Sequence, residues 1–343
     1  MDSISLRDHL QGKIVEFLKK EDMSCLITQQ GIIELINAIA LYKEEGKNLF
    51  PEIFIIDDLQ IFQNVLKPFT SYKIDSGEKS AETMFTALKK CAPLTEGNSW
   101  SIYILRRNDS FEYGIFRYGE HILSIDASKI LMEDVENNPH IINIRQLTEK
   151  TVMVSGTITV PLIINFGINP AGDLSFLDNK TDFIKLIING VNNIYKDQTE
   201  NFFSRVFNDV LQKSHGILAV VIDHKKKEVP KFLSDGIKLT EKIDTQSYIS
   251  QLITKNDLTS SFSLEGCASL ISGMLLSDGI TVFDTQGNIR AYNVFIKFPR
   301  RNIKEISGGA RERTFEYLCT KINNGIIAAF FQSQDGKTKF KGK

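Results

Sequence analysis

Apolar residues recur at three- and four-residue intervals over residues 4–20, where Leu6, Leu10, Ile14, Phe17 and Leu18 fall on one face. That spacing predicts an amphipathic helix, with Ser3 placed to cap it. Residues 30–45 repeat the pattern as far as Gly46 and predict a second helix. A short all-apolar run, Ile53 to Ile56, reads as a buried strand running into Asp57–Asp58, and further helices are predicted over 59–66 and 80–92. From Trp100 the period drops to two. The stretches SIYILRR, EYGIFRYG and HILSIDA are short, alternating and bounded by turn residues, as in a hairpin pair or meander. Residues 151–166 continue this texture in two apolar stretches broken at Gly156 and Pro161.

Residues 168–182 hold Pro170, Gly172 and a cluster of turn formers, and read as a linker. Helical spacing follows over Phe183–Tyr195 and Glu200–Lys213, with Phe202, Val206 and Val210 on the face expected to meet a sheet. Gly216 to Ile222 is apolar throughout, as a central strand covered on both faces would be. A helix is predicted over 244–258, turning at Asn256–Asp257, and then a helix rich in Gly, Ala and Ser that ends at Asp278. Strands Ile280–Phe283 and Ile289–Ile296 come next, then a loop with Arg300 and Arg301. Gly308–Gly309 opens a helix whose buried stripe is Phe315, Leu318, Cys319 and Ile322. The last strands, GIIAAFFQ and KTKF, flank a hairpin-type turn at Asp335–Gly336.

The chain has 343 residues, and single cores stop growing at about 250–300. Two domains are therefore expected, an α+β domain over 1–168 and a second over 180–343, giving the fold class α/β (α+β). A formal net charge of −1 argues against general nucleic-acid binding, which needs a broad basic surface. Cys25, Cys91, Cys267 and Cys319 are far apart, with no CxxC pair, so reduced core thiols in a cytoplasmic protein are expected rather than zinc. Charges run through the first twenty residues, unlike a signal peptide. The longest apolar runs, such as Ile326 to Phe331, fall far short of the ~20 residues a membrane span needs.

Candidate chemistry is uneven along the chain. Asp57–Asp58 is either a metal-binding acid pair at a strand end or a solvated turn capping the next helix. His9 and His215 fall in predicted helices, and no histidine has a partner at metal-ligand spacing. Arg106, Arg107 and Arg117 read as exposed strand charges or the lining of a groove, and Lys225 to Lys227 as a charged loop or a phosphate contact. The stretch from Leu275 to Thr314 holds more. Asp278 stands where a buried helix meets a strand, fit either for a turn or for a divalent metal. Downstream, Gly308–Gly309 leads into a helix carrying Arg311 and Arg313, either a solvated face or a clamp in which amide N–H groups and guanidiniums meet phosphate.

Asp278-Gly279-Ile280 resembles the Asp-Gly-Ala motif of the diadenylate cyclase domain family, and Gly309-Ala310-Arg311-Glu312-Arg313-Thr314 resembles its Gly-Thr-Arg-His-Arg motif. The resemblance covers roughly residues 195–343, and weaker matches lie at Gly216–Ile222 and at Asp235–Leu239, which resembles a Gly-x-x-Leu turn. It implies a mixed β-sheet flanked by helices and condensation of two ATP into cyclic di-AMP across a face-to-face dimer. By that resemblance Asp278 holds Mg²⁺ or Mn²⁺ and helps activate the ribose 3′-hydroxyl, while Arg311 and Arg313 serve the phosphates. Gly279, Gly308, Gly309, Ala310, Glu312, Thr314, Leu239 and Ser333 would line the nucleotide. Ile280 stands where the family has alanine and Glu312 where it has histidine, and Gln332 to Gly336 only echoes the family's Ser-Glu-Glu-x-Gly segment. Three functions are carried forward: an active cyclase, a nucleotide or cyclic-dinucleotide sensor signalling through the N-terminal domain, and an interaction protein that keeps only the fold. For the N-terminal domain the sequence leaves open partner docking, covering of the site, or holding a dimer together.

Overall fold

The computed structural model describes residues 6–40, 42–95, 100–119, 122–123, 127–133, 140–166, 175–296 and 309–343. Ser3, His121, Pro170, Gly172, Arg300, Arg301 and Gly308 lie outside them. The chain divides into two compact units, Met1–Glu120 with Ile125–Asp173, and His121–Ser124 with Leu174–Lys343. Each is built on a mixed sheet with helices, as the α+β expectation required.

In the first unit the helices are α1 (Leu6–Lys20), α2 (Leu26–Ile39), α3 (Gln60–Val65), α4 (Ala81–Cys91) and α5 (Ala127–Glu133). The strands are β1 (Lys43–Glu44), β2 (Lys47–Asn48), β3 (Ile53–Ile56), β4 (Phe69–Glu78), β5 (Ser101–Arg106), β6 (Ser110–Tyr118), β7 (Ile141–Thr148), β8 (Thr151–Gly156) and β9 (Leu162–Asn165). Seven of them form one sheet in the order β4-β6-β5-β3-β7-β8-β9, in which only the β3–β5 pair is parallel. Alternation sorts β3 between two cores. Ile53 and Ile55 meet α1, α2 and α4, while Phe54 and Ile56 meet Phe62 of α3 and Leu131 of α5.

The second unit runs α6 (Ser175–Ile187), α7 (Lys196–Lys213), β10 (Ile217–Ile222), β11 (Ile237–Ile243), α8 (Thr245–Lys255), α9 (Leu258–Leu276), β12 (Ile280–Asp284), β13 (Ile289–Val294), α10 (Ala310–Cys319), β14 (Ala328–Gln332) and β15 (Thr338–Gly342). Its sheet order is β11-β13-β12-β10-β14-β15, with β10 and β12 parallel at the centre. One face carries Leu218, Val220, Ile222, Ile280, Val282 and Phe331 against Phe315 and Leu318 of α10. On the other face a ring cluster joins Phe183 of α6 and Phe207 of α7 to Phe283 and Phe330 of the sheet, with centroids 5.2–6.5 Å apart. Residues Asn256 and Asp257 separate two helices as the sequence predicts. Asn256 takes a left-handed φ of 47° to end α8, and the Asp257 carboxylate caps α9 by accepting from Ser260 N at 2.7 Å.

Several expectations are corrected. The second helix ends at Ile39 rather than 45, because Glu45 and Gly46 take positive φ (48° and 82°) and turn the β1–β2 hairpin. Of HILSIDA, only Ile122, Leu123 and Ala127 are described: the first two form a turn and Ala127 opens α5, and the rest of the stretch lies outside the described residues. Strand β4 gave no apolar alternation to read, since it lies at a sheet edge and none of its residues is buried. The second half of the expected linker, from Ser175, is helical. Its polar residues are tertiary ties: Asn179 donates to Thr338 O (3.2 Å) and Lys180 to Asn208 Oδ1 (2.7 Å). Helix α6 stops at Ile187 rather than continuing to Tyr195. Gly190 N donates to Thr285 O at 2.7 Å in the turn beyond it.

Candidate functional site

Helix α9 hands the chain to β12 through Ser277, Asp278 and Gly279. Ser277 Oγ and Thr281 Oγ1 both donate to the Met274 carbonyl, at 2.7 and 3.0 Å, so the helix end is tied to the strand it feeds. Between them Gly279 has a φ of +89°, a backbone conformation that favours glycine. The register of the parallel pair sets Ala219 opposite Thr281; carried back three positions, it sets Gly216 opposite Asp278. Asp278 therefore stands at the leading end of one central strand, beside the leading end of the other.

Arg311, in the first turn of α10, reaches this point. Its Nη2 donates to Asp278 Oδ1 at 2.7 Å and its Nη1 to the His215 carbonyl at 3.2 Å. The side chain lies over Gly216, whose φ is +128° and where an added Cβ would come within 3.1 Å of Nη1. Ser214 Oγ accepts from Gly216 N at 2.8 Å and fixes this short connection from α7 to β10. The Asp278 side chain is 80% exposed and that of Arg311 40%, so the pair is a surface contact open to exchange with a ligand.

The remaining expected residues fall into three groups. Gly309 is the N-cap of α10 and has no side chain to cap with; its carbonyl accepts from Arg313 N at 3.1 Å. The amides of Ala310, Arg311 and Glu312 precede that first helical bond, which gives the helix end a donor surface for an anion. Arg313 is exposed on the same turn, and Thr314 Oγ1 donates back to Ala310 O at 2.9 Å. Glu312 turns to the sheet, where Lys339 Nζ lies 2.8 Å from its Oε1. Ser333 follows the end of β14, and because Gln332 pairs with Ile217 it shares the sheet end with Gly216 and Asp278. Leu239 does not join them. It lies within edge strand β11 rather than in the expected turn, two strands from β12 and displaced along β13 from the Val294 end. His215 lies just past the end of α7, not in a helix, and contributes its carbonyl. That carbonyl and Gly216 were missed as site residues; the only sequence signal was a glycine directly before an all-apolar strand.

Elsewhere the candidate groups are used internally. Asp57 holds Arg106 by a fork at 2.6 and 2.7 Å, and Asp58 Oδ1 accepts from Gln60 N at 2.9 Å, so the acid pair serves a strand tie and a helix start. Lys226 Nζ donates to Gly325 O at 3.2 Å. Among the described residues no cluster of three or more His, Cys, Asp or Glu side chains is placed to hold a metal. Among the described residues the Asp278 corner supplies one carboxylate. That donor set fits a hard cation drawing its other ligands from phosphate oxygens and water. No helix among the described residues is long and apolar enough to cross a membrane. Comparisons with family models, curated proteins and solved structures returned no match.

Proposed function

We propose that the C-terminal unit is a diadenylate cyclase-like module that binds ATP with Mg²⁺ or Mn²⁺ and condenses two ATP into cyclic di-AMP and pyrophosphate. The observation that carries this reading is the 2.7 Å contact between Asp278 and Arg311, which lie 33 positions apart in the chain. An acid that can share a metal, a guanidinium and the first-turn amides of α10 converge on one exposed corner. Asp278 would hold the ion together with the nucleotide's phosphates, and the ion would lower the pKa of the ribose 3′-hydroxyl. With its proton released to solvent, that oxygen would attack the α-phosphorus of the facing ATP, forming the P–O3′ bond as the bond between the α-phosphorus and the bridging oxygen to the β-phosphate breaks and pyrophosphate leaves. Arg311, Arg313 and the α10 amides would stabilise the charge on the departing pyrophosphate. The same exchange in the other direction closes the ring, so the chemistry calls for a second copy of the chain presenting its own ATP face to face.

Arg311 is the hydrogen-bond partner of Asp278 Oδ1. Phosphate competes for the guanidinium and releases the carboxylate to the ion, so nucleotide and metal are expected to enter together. The second reading, a sensor that binds a nucleotide without turnover, rests on Glu312 standing on the arginine turn. Incubation with ATP and Mn²⁺ separates the two. Cyclic di-AMP that disappears in Asp278→Asn supports the cyclase; saturable ATP binding without product, lost in Arg311→Ala, supports the sensor. Neither product nor binding rejects both.

A further inference from the structure

Glu312 is an anion placed between two arginines on a turn assigned to polyphosphate, and its position invites an explanation. Lys339, at the start of β15, lies 2.8 Å from Glu312 Oε1 and 3.0 Å from Glu316 Oε1, so a single ammonium bridges two carboxylates one turn apart on α10. Its strand neighbour Phe331, on β14, packs on Phe315 of the same helix with centroids 5.8 Å apart, so β15 sits beside α10 through its pairing with β14. Side-chain exposure is 30% for both Lys339 and Glu312, so the contact is screened but not fully solvated. The Glu312 hydrogen bond, partly opposed by desolvation and aided by Glu316, holds the Lys339 ammonium above the usual lysine range. Without Lys339, the charged residues of α10, Arg311, Glu312, Arg313 and Glu316, sum to zero (two positive, two negative).

We infer that Lys339 is a positioning residue for the phosphate site: it draws Glu312 toward the sheet and cancels its charge, so that α10 presents a net positive turn to a polyphosphate. This rests on the nucleotide reading above and extends it to a residue outside the motif. The effect is electrostatic, so it should grow with the number of phosphates and fade with salt.

The test is a double-mutant cycle with Lys339→Met, Glu312→Gln and the double variant. Affinities are measured by calorimetry for AMP, ATP and inorganic tripolyphosphate in Mn²⁺, with thermal unfolding followed in parallel. Lys339→Met should weaken ATP and tripolyphosphate by roughly tenfold, the scale of one unbalanced carboxylate within a Debye length of a polyanion, and AMP much less. The double variant should recover most of the loss. A structural strut alone would lower the unfolding midpoint, affect all three ligands alike and show no recovery. Equal loss for AMP and ATP, or no recovery with Glu312→Gln, overturns the inference while leaving the nucleotide reading intact. Tripolyphosphate binding without ATP binding overturns the nucleotide reading and keeps this one; absence of both overturns both.

Discussion

Gly279→Ala should be among the most damaging single-methyl changes in the second unit. A Cβ at this position would lie 2.8 Å from Asn293 C, 2.9 Å from Val294 N and 2.9 Å from Val294 O. All three are backbone atoms of β13, which is paired to β12 with Ile280 opposite Val294, so none can move without opening the ladder. The φ of +89° adds a conformational cost. Left-handed backbone costs about 1–2 kcal/mol for a residue with a Cβ, and overpacking about 1–3. Together they predict a loss of roughly 2–5 kcal/mol. Gly266→Ala on α9 is the control: nothing lies within 4 Å of its Cβ position, and a helical Gly→Ala change is worth up to about 1 kcal/mol of added stability. Urea unfolding by far-UV circular dichroism, with hydrogen exchange of the β12 and β13 amides, reads both. The sole tryptophan, Trp100, belongs to the first unit, so its fluorescence serves as an internal reference. Equal midpoints for wild type and Gly279→Ala would refute the packing argument. Because packing alone demands this glycine, Gly279 is no independent support for nucleotide binding.

Other consequences are testable in the same preparations. Glu21 is 1% exposed, and its carboxylate accepts from Ile158 N at 3.0 Å, Thr159 N at 2.7 Å and the hydroxyls of Thr157 and Thr159. Glu21→Ala strands those donors and should cost the first unit about 2–4 kcal/mol, read by Trp100 fluorescence; a change under half of that would contradict the cradle. Arg311→Ala should lower stability by less than about 1 kcal/mol, as suits an exposed pair, yet weaken ATP binding by roughly 10- to 100-fold through lost charge-assisted bonds. A large stability loss with unchanged ATP affinity would make Arg311 purely structural. Burial pushes the Cys91 thiol up to about 12 and the Cys267 thiol up to about 11. At Cys25 burial also pushes upward, but hydrogen bonds from Thr28 and Ile27 outweigh it and leave the thiol below its usual value. Iodoacetamide between pH 7 and 8.5 should therefore label Cys25 first, at a rate that rises with pH as the thiolate forms; earlier labelling of Cys91 would contradict this.

Much of the fold was legible because its elements announce themselves by period and punctuation. The all-apolar run Ile217–Ile222 became the central strand, and the Asn256–Asp257 pair marked a helix boundary through a left-handed residue and a capping carboxylate. What escaped was structure whose polar residues face a partner instead of water. Asn179 and Lys180 look like linker residues until Thr338 and Asn208 take their hydrogen bonds, and edge strands β4 and β11 expose too much to alternate. At the candidate site, motif resemblance and order singled out Asp278 and Arg311, and the fold brings their side chains together. Sequence order had no means of showing that Arg311 rests on the His215 carbonyl or that Lys339 takes Glu312, since both contacts depend on sheet register. Leu239 fails for the converse reason: local likeness to a turn was overridden by pairing with β13.

Mn²⁺ makes the location of the nucleotide directly measurable, because it broadens the NMR signals of nearby amides. Titration of Mn²⁺ with ATP should broaden residues 214–216, 278–280 and 309–313 together, leave Leu239 sharp, and do little without ATP. Broadening elsewhere on the sheet, or an unchanged spectrum at saturating ATP, would contradict a metal–polyphosphate site at the Asp278–Arg311 corner.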